Sequence, residues 1–255
     1  VSIRLEVSGH RATVTIDRPG VLNALDGEHA RALEDTWTAL AADERVRVVV
    51  LTGAGERAFC AGADLKAGDP EGLAYLQARN PHGFGGISLR PRFPHPVLAR
   101  VNGHALGGGL EMVLGCDLAV AAEEATFGLP EALVGRVPLD GGVALLARAL
   151  PPKLARELLL TGRRIAADEA LALGLVNRVV ARAELDAAVE ELVERLLAAA
   201  PLSQRAIKHW LAGPADPVAA REAVPDALLR ALDSEDGAEG PRAFREKRKP
   251  VWRGR

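Results

Sequence analysis

The sequence predicts an α/β fold with a mainly parallel sheet, and three observations carry that prediction. Residues 46–52 form a nearly continuous apolar run rich in β-branched side chains, the pattern of a strand buried on both faces. Residues 96–101 and 117–121 repeat the pattern, with helical stretches between and after the runs. Gly107, Gly108 and Gly109 then lead from the second run straight into an apolar helix.

In chain order, Ile3, Leu5 and Val7 alternate with polar residues, and Ser8-Gly9-His10 turns into Ala12, Val14 and Ile16. This predicts an antiparallel hairpin. Arg18-Pro19-Gly20 breaks its second strand, and a helix is expected around residues 29–42. Residues 66–94 are irregular, with prolines at 70, 81, 91 and 94 and a helical turn or two near residues 73–78. Loops of this length inside a compact fold serve as covers or binding segments. A short strand is expected at residues 125–127, and helices dominate from Gly141 onward. One helix stops at Thr161-Gly162, a glycine signal for a helix end. Residues 183–200 make the cleanest helix, with Leu185, Val189, Leu192, Leu196 and Ala199 on one face. Prolines 201, 214, 217 and 225 punctuate the later helices, and residues 242–255 are basic.

Composition excludes several classes. Lys+Arg 32 against Asp+Glu 34 leaves a net charge of −2, so no global field draws the chain to nucleic acid or membrane. No apolar run reaches the length of a membrane span, and no signal peptide is visible at the N-terminus. Cys60 and Cys116 form no CxxC pair, which fits reduced thiols in the cytoplasm. The six histidines include no HxxxH or HExxH, so no metal site is expected, and no serine sits in a GxSxG elbow. Gly53-x-Gly55-x-x-Ala58 after a strand approaches a dinucleotide fingerprint. That motif needs a helix opening on the glycines, and Phe59-Cys60-Ala61-Gly62-Ala63-Asp64 carries no helical period.

Two small-residue segments therefore stand out, each following a strand: residues 61–64 and 107–109. One backbone N–H from each would make an oxyanion hole for a carbonyl gathering negative charge. Glu111 shares a helical stripe with Gly107 and Leu114, and a carboxylate on a core-facing stripe needs a partner or a role. Tight strand-to-helix packing around a hydrogen-bonded Glu would leave the same trace. Glu131 supplies a second carboxylate after another strand, although a Glu opening a helix behind Pro130 is also an ordinary surface arrangement. Two carboxylates beside one oxyanion site suit proton transfer next to a carbonyl.

These residues resemble the crotonase (enoyl-CoA hydratase/isomerase) superfamily nearly end to end. The resemblance is carried by Asp17-Arg18-Pro19 with Asn23-Ala24, by Phe59 through Leu65, and by Asn102-Gly103 with the glycine triplet. Phe127-Gly128-x-Pro130-Glu131, Gly141-Gly142 and Thr161-Gly162-Arg163-Arg164 complete it. The C-terminal part, through Leu150-Pro151-Pro152, Ser234-Glu235-Asp236 and Pro250-Val251-Trp252, is most similar to the carnitinyl-CoA dehydratase branch. The resemblance implies a spiral of ββα units over residues 1–195 and a helical region over residues 196–255 that builds trimers, often paired into hexamers. It implies an acyl-CoA substrate and no further cofactor. The thioester oxygen would rest on the N–H groups of Ala63 and Gly108, and Glu111 and Glu131 would be the hydratase acids. Ala61, Asp64, Leu65 and Lys66 are implied as substrate or CoA contacts, and Phe244 and Lys247 of the last helix as CoA contacts within or between subunits. With both acids present, hydration of a trans-2-enoyl-CoA is the favoured chemistry, ahead of the carnitinyl-CoA reaction, enoyl-CoA isomerisation and an RNA-binding homologue.

Two departures bear on the reaction. Asp140 adds a third carboxylate just before Gly141-Gly142, where hydratases more often have a small residue. His104 stands where an aromatic is frequent and reads as a packing variation. Within the irregular loop, Tyr75, Phe84 and Phe93 are candidate aromatic walls for an acyl tail, with Asp69 and Glu71 as counter-charges. Arg79, Arg90 and Arg92 in the same loop would repel a cationic tail if they faced it.

Overall fold

The computed structural model describes residues 2–68, 72–213 and 226–255; Asp69 and Glu71, the expected counter-charges, lie outside them. The N-terminal hairpin forms as expected from β1 (Ile3–Ser8) and β2 (Arg11–Ile16), paired antiparallel from Ile3↔Ile16 to Ser8↔Arg11. Helix α1 (Gly27–Ala42) starts under Asp26, whose carboxylate accepts from the His29 N–H, an N-cap that satisfies an orphan donor.

Beyond α1 the chain repeats one motif. A strand enters a large sheet, a short strand enters a small sheet, and helical chain returns. The large-sheet strands are β3 (Val48–Gly53), β5 (Val97–Val101) and β7 (Leu118–Ala122), mutually parallel. Their small-sheet partners are β4 (Ala58–Cys60), β6 (His104–Leu106) and β8 (Thr126–Gly128), also parallel. The returning segments carry α2 (Gly72–Ala78) and then α3 (Gly108–Gly115). After β8, a 3-10 turn at Pro130–Val134 leads to α4 (Gly142–Ala149) and α5 (Pro152–Thr161). This is the expected spiral of ββα units. The antiparallel strand β9 (Ile165–Ala166) closes one side of the small sheet, α6 (Ala167–Ala172) comes next, and β10 (Arg178–Val180) adds parallel to β7.

The buried β-branched runs have the predicted meaning. All six residues of β3 are buried. Val49 and Leu51 face the main core with Phe59, Leu110, Met112 and Phe127. Val48 and Val50 face the other way, onto Leu185, Val189 and Val193 of α7 (Leu185–Leu197). The expected stripe on α7 is thus corrected at its end: Val193 packs into the core, while Ala199 is exposed beyond the helix. Among the described residues, helices α8 (Pro201–Leu211) and α9 (Asp226–Leu232) share a small core of Ala206, Ala227 and Ala231, and α10 (Glu235–Arg245) follows. The basic tail is partly paired within its own region, while Arg245, Lys247 and Lys249 are exposed. Arg248 pairs with Glu239 and Glu246, and Arg255 pairs with Glu235 at 3.2 Å. Among the described residues, no helix is long and apolar enough to cross a membrane.

Candidate active site

Strands β4 and β6 are parallel neighbours, so the segments that leave their ends emerge side by side. Residues 61–64 leave β4 and zip onto residues 22–25: Leu25 N–H donates to Gly62 O at 2.9 Å and Asp64 N–H to Leu25 O at 2.8 Å. In that bridge Ala63 lies between the two bonds, and its own N–H donates to no other group of the described chain. Gly107, at φ 54° and ψ −127°, turns the chain out of β6 into α3, where Gly108 is the first residue and its N–H is likewise free.

The glycine triplet is explained position by position. Gly107 occupies a positive φ that favours glycine. A Cβ on Gly108 would fall 2.5 Å from the Phe84 ring, and one on Gly109 would fall 2.0 Å from Cys60 O. Gly62 is its counterpart across the gap, at φ 93°, and a Cβ there would lie 3.2 Å from Gly108 N. The structure therefore brings Ala63 and Gly108 together at one spot, two free N–H donors from two segments, with the dipole of α3 behind one of them.

Glu111, in the first turn of α3, is only 3% exposed. Its Oε1 accepts from the N–H groups of Asp140 and Gly142, both at 2.9 Å. Burial pushes its carboxyl up to about 8, with the nearby charges of Asp140 and Glu131 adding to the rise against those two hydrogen bonds. Glu131, in the 3-10 turn, is raised by burial, and its Oε2 is shielded without a hydrogen-bond partner. The ordinary surface reading of Glu131 is thereby excluded.

A model of the enoyl-CoA hydratase/isomerase family matches residues 7–255. The chain belongs to that family. A carnitinyl-CoA dehydratase from Salmonella typhi is 42% identical over 260 residues, covering 100% of this chain and 99% of that protein. An enoyl-CoA hydratase from Bacillus anthracis superposes with a TM-score of 0.91 at 34% identity, covering 100% of both chains. One from Mycobacterium tuberculosis does so at 0.89 and 34%, covering 100% of this chain and 99% of that one.

The other expected residues of this family member fall into two groups. Ala61, Asp64, Leu65 and Lys66 lie on the Ala63 loop. Ala61 N–H donates to Leu22 O at 3.0 Å, and Leu65 and Lys66 are exposed. Asp64 is engaged: Arg18 reaches its carboxylate at 3.3 Å, that of Asp26 at 3.0 Å and the Ala24 carbonyl at 2.5 Å. Phe244 and Lys247 form the second group. Phe244 is 85% exposed on α10, and Lys247 is exposed just past its end. Both belong to the helical end of the chain.

The aromatic walls are corrected. Phe93 is core, 2% exposed and edge-on to Trp37 and His95 with ring centroids 5.5 and 5.6 Å away, so it anchors the loop. Arg90 is likewise occupied, 3.1 Å from Glu34. Phe84 covers Gly108, and Tyr75 of α2 donates its hydroxyl to Asp140 Oδ2. This Tyr75–Asp140 contact joins residues far apart in sequence and had no local signal. His104 pairs its Nδ1 with Thr126 Oγ1 at 2.8 Å, consistent with packing. Burial pushes the Cys60 thiol up to about 12, which leaves it inert as a nucleophile near neutral pH.

Proposed function

We propose that the protein is an enoyl-CoA hydratase, adding water reversibly and syn across the double bond of a trans-2-enoyl-CoA. The observation that carries the reading is the pair of raised carboxyls, Glu111 and Glu131, beside the two free N–H groups of Ala63 and Gly108. The thioester oxygen accepts both N–H bonds, so charge arriving there as the enolate forms is met by donors already in place. Ionised Glu111 takes a proton from water as the water oxygen bonds to C3. Protonated Glu131 gives its proton to C2. The pair ends with its protonation reversed, ready for dehydration or for reset by solvent. All charge is carried by the chain and the thioester, so the only cofactor is the CoA of the substrate itself.

Phe244 and Lys247 are exposed, which suits contact with CoA within or between subunits of a homotrimer or a hexamer of paired trimers. The two free thiols suit a reducing compartment such as the cytoplasm. The family relationship keeps a second reading in play, the dehydration of carnitinyl-CoA, supported by the 42% identity to such an enzyme. Against it, Phe93 is withdrawn into the core and the charge of Arg79 bears on Asp140. Isomerisation needs only one acid, and the net charge of −2 argues against RNA binding.

The test is kcat/KM for crotonyl-CoA against crotonobetainyl-CoA at one salt concentration, followed by loss of enoyl absorbance. The hydratase reading expects crotonyl-CoA to be preferred. A betaine preference of about tenfold or more, about 1.4 kcal/mol in the transition state, would favour the carnitine reaction instead.

A further inference from the structure

A base that takes a proton from water works only while its carboxylate keeps one orientation. For Glu111 that orientation is set by backbone. Its Oε1 accepts from the N–H groups of Asp140 and Gly142, both at 2.9 Å, so residues 140–142 form a grip on the carboxylate. A Cβ on Gly142 would fall 3.0 Å from Glu111 Oε1, so the grip closes tightly around it.

The grip is held in turn by a residue with no part in the two-acid mechanism. Ser88, only 3% exposed, donates its hydroxyl to the Asp140 carbonyl at 2.5 Å. The backbone of Asp140 is thus pinned on both sides, its N–H on Glu111 and its carbonyl under Ser88. Ser88 also packs on the helix that carries Glu111. Gly115 lies four residues after Glu111 on one face of α3, and a Cβ there would fall 2.5 Å from Ser88 Cα. A Cβ on Gly83 would fall 2.2 Å from Ser88 Oγ, so the hydroxyl sits in a close-fitting place. The turn that presents Ser88 is fastened to α1, where Trp37 Nε1 donates to Gly85 O at 2.8 Å and Glu34 stands 3.1 Å from Arg90.

We infer that Ser88 is a positioning residue: it holds residues 140–142 so that their two N–H groups keep the Glu111 carboxylate aimed for proton transfer. The inference rests on the hydratase reading and adds to it a residue that acts through Glu111. Without the hydroxyl, the Asp140 carbonyl is left buried and short of its donor, which favours a shift of residues 140–142 toward another partner. The two N–H bonds to Glu111 then weaken. Those bonds oppose the rise that burial imposes on the carboxyl, so their weakening lifts it further.

The test is Ser88→Ala, which removes one oxygen and adds no bulk. On crotonyl-CoA it should lower kcat by about tenfold or more and leave KM within about twofold. In the Glu111→Gln background the same substitution should change kcat by less than about threefold, because no base remains to be aimed. Similar losses in both backgrounds would mean a general loosening of the fold and overturn the proposal, as would an unchanged kcat in the wild-type background. Carbon-13 NMR of carboxyl-labelled glutamate reads the grip without turnover, with the Glu111 signal identified as the one missing from Glu111→Gln. Its titration midpoint should move to higher pH in Ser88→Ala, and a midpoint that stays or falls overturns the proposal. A raised midpoint in a protein that hydrates no enoyl-CoA would strike the hydratase reading and leave the grip standing.

Discussion

Glu111 and Glu131 illustrate how burial rather than sequence position makes a carboxyl reactive. Water solvates an exposed carboxylate and keeps it ionised and inert near pH 7. Taken out of water beside other carboxylates, Glu111 is raised to about 8. If Glu111 must be ionised to accept a proton from water, its active form is scarce below that value and grows with pH. The kcat/KM for crotonyl-CoA, which reports the free enzyme, should therefore be bell-shaped in pH, because turnover needs ionised Glu111 and protonated Glu131 at the same time. The apparent midpoint belongs to the interacting carboxyls together. A profile that falls on neither the acid nor the alkaline side would contradict this pairing of an ionised base with a protonated acid. At this scale the sequence was informative about Glu111, because a carboxylate on an apolar stripe has few explanations. It was silent on how Asp140 and Tyr75 meet, since no pattern relates the two segments that carry them.

At the scale of elements, the long strands and helices were readable because each carries a full period of burial. β3 is buried on both faces and reads as an unbroken apolar run, while β1 and β2 alternate in sequence between apolar and polar side chains. The small sheet was only partly legible: its β8 was expected at residues 125–127, while three-residue strands such as β4 and β6 are too short to show any periodicity. Yet those strands aim the candidate oxyanion donors. The Ala63 loop that leaves β4 is also clamped by Arg18, which ties Asp64 to Asp26 and to the Ala24 carbonyl. Asn23, fully buried, braces the same turn by accepting from Arg18 N–H and donating to the carbonyls of Ala54 and Ala58. The motif containing Asp17-Arg18-Pro19 and Asn23 was legible as a resemblance, but its duty as a brace was not. Arg18→Ala strands two half-buried carboxylates, so it should cost about 1–3 kcal/mol and lower Tm by several degrees. It should also cut kcat by about tenfold or more through misplacement of Ala63. Unchanged Tm and kcat would reduce the clamp to an incidental surface pair.

At the scale of the whole molecule, the described residues form a spiral of strands and helices followed by a helical end. The spiral holds the carboxyls and free N–H groups on short strands and one helix start, backed by a core that includes Phe59, Leu110, Met112 and Phe127. The helical end leaves Leu211, Leu232 and Phe244 at 70% exposure or more, more apolar surface than a lone chain gains from showing. A subunit interface would bury it and bring Lys247 to a neighbour's CoA. Such an assembly changes how substrate is bound. It leaves the acid–base chemistry inside each spiral, where the two carboxyls can be tested one at a time. The decisive measurement is the steady-state hydration of crotonyl-CoA by wild type, Glu111→Gln and Glu131→Gln. Each variant should lose at least about 100-fold in kcat with KM little changed, since amides keep the shape and cannot transfer the proton. Near-wild-type turnover by either variant would contradict the two-acid mechanism.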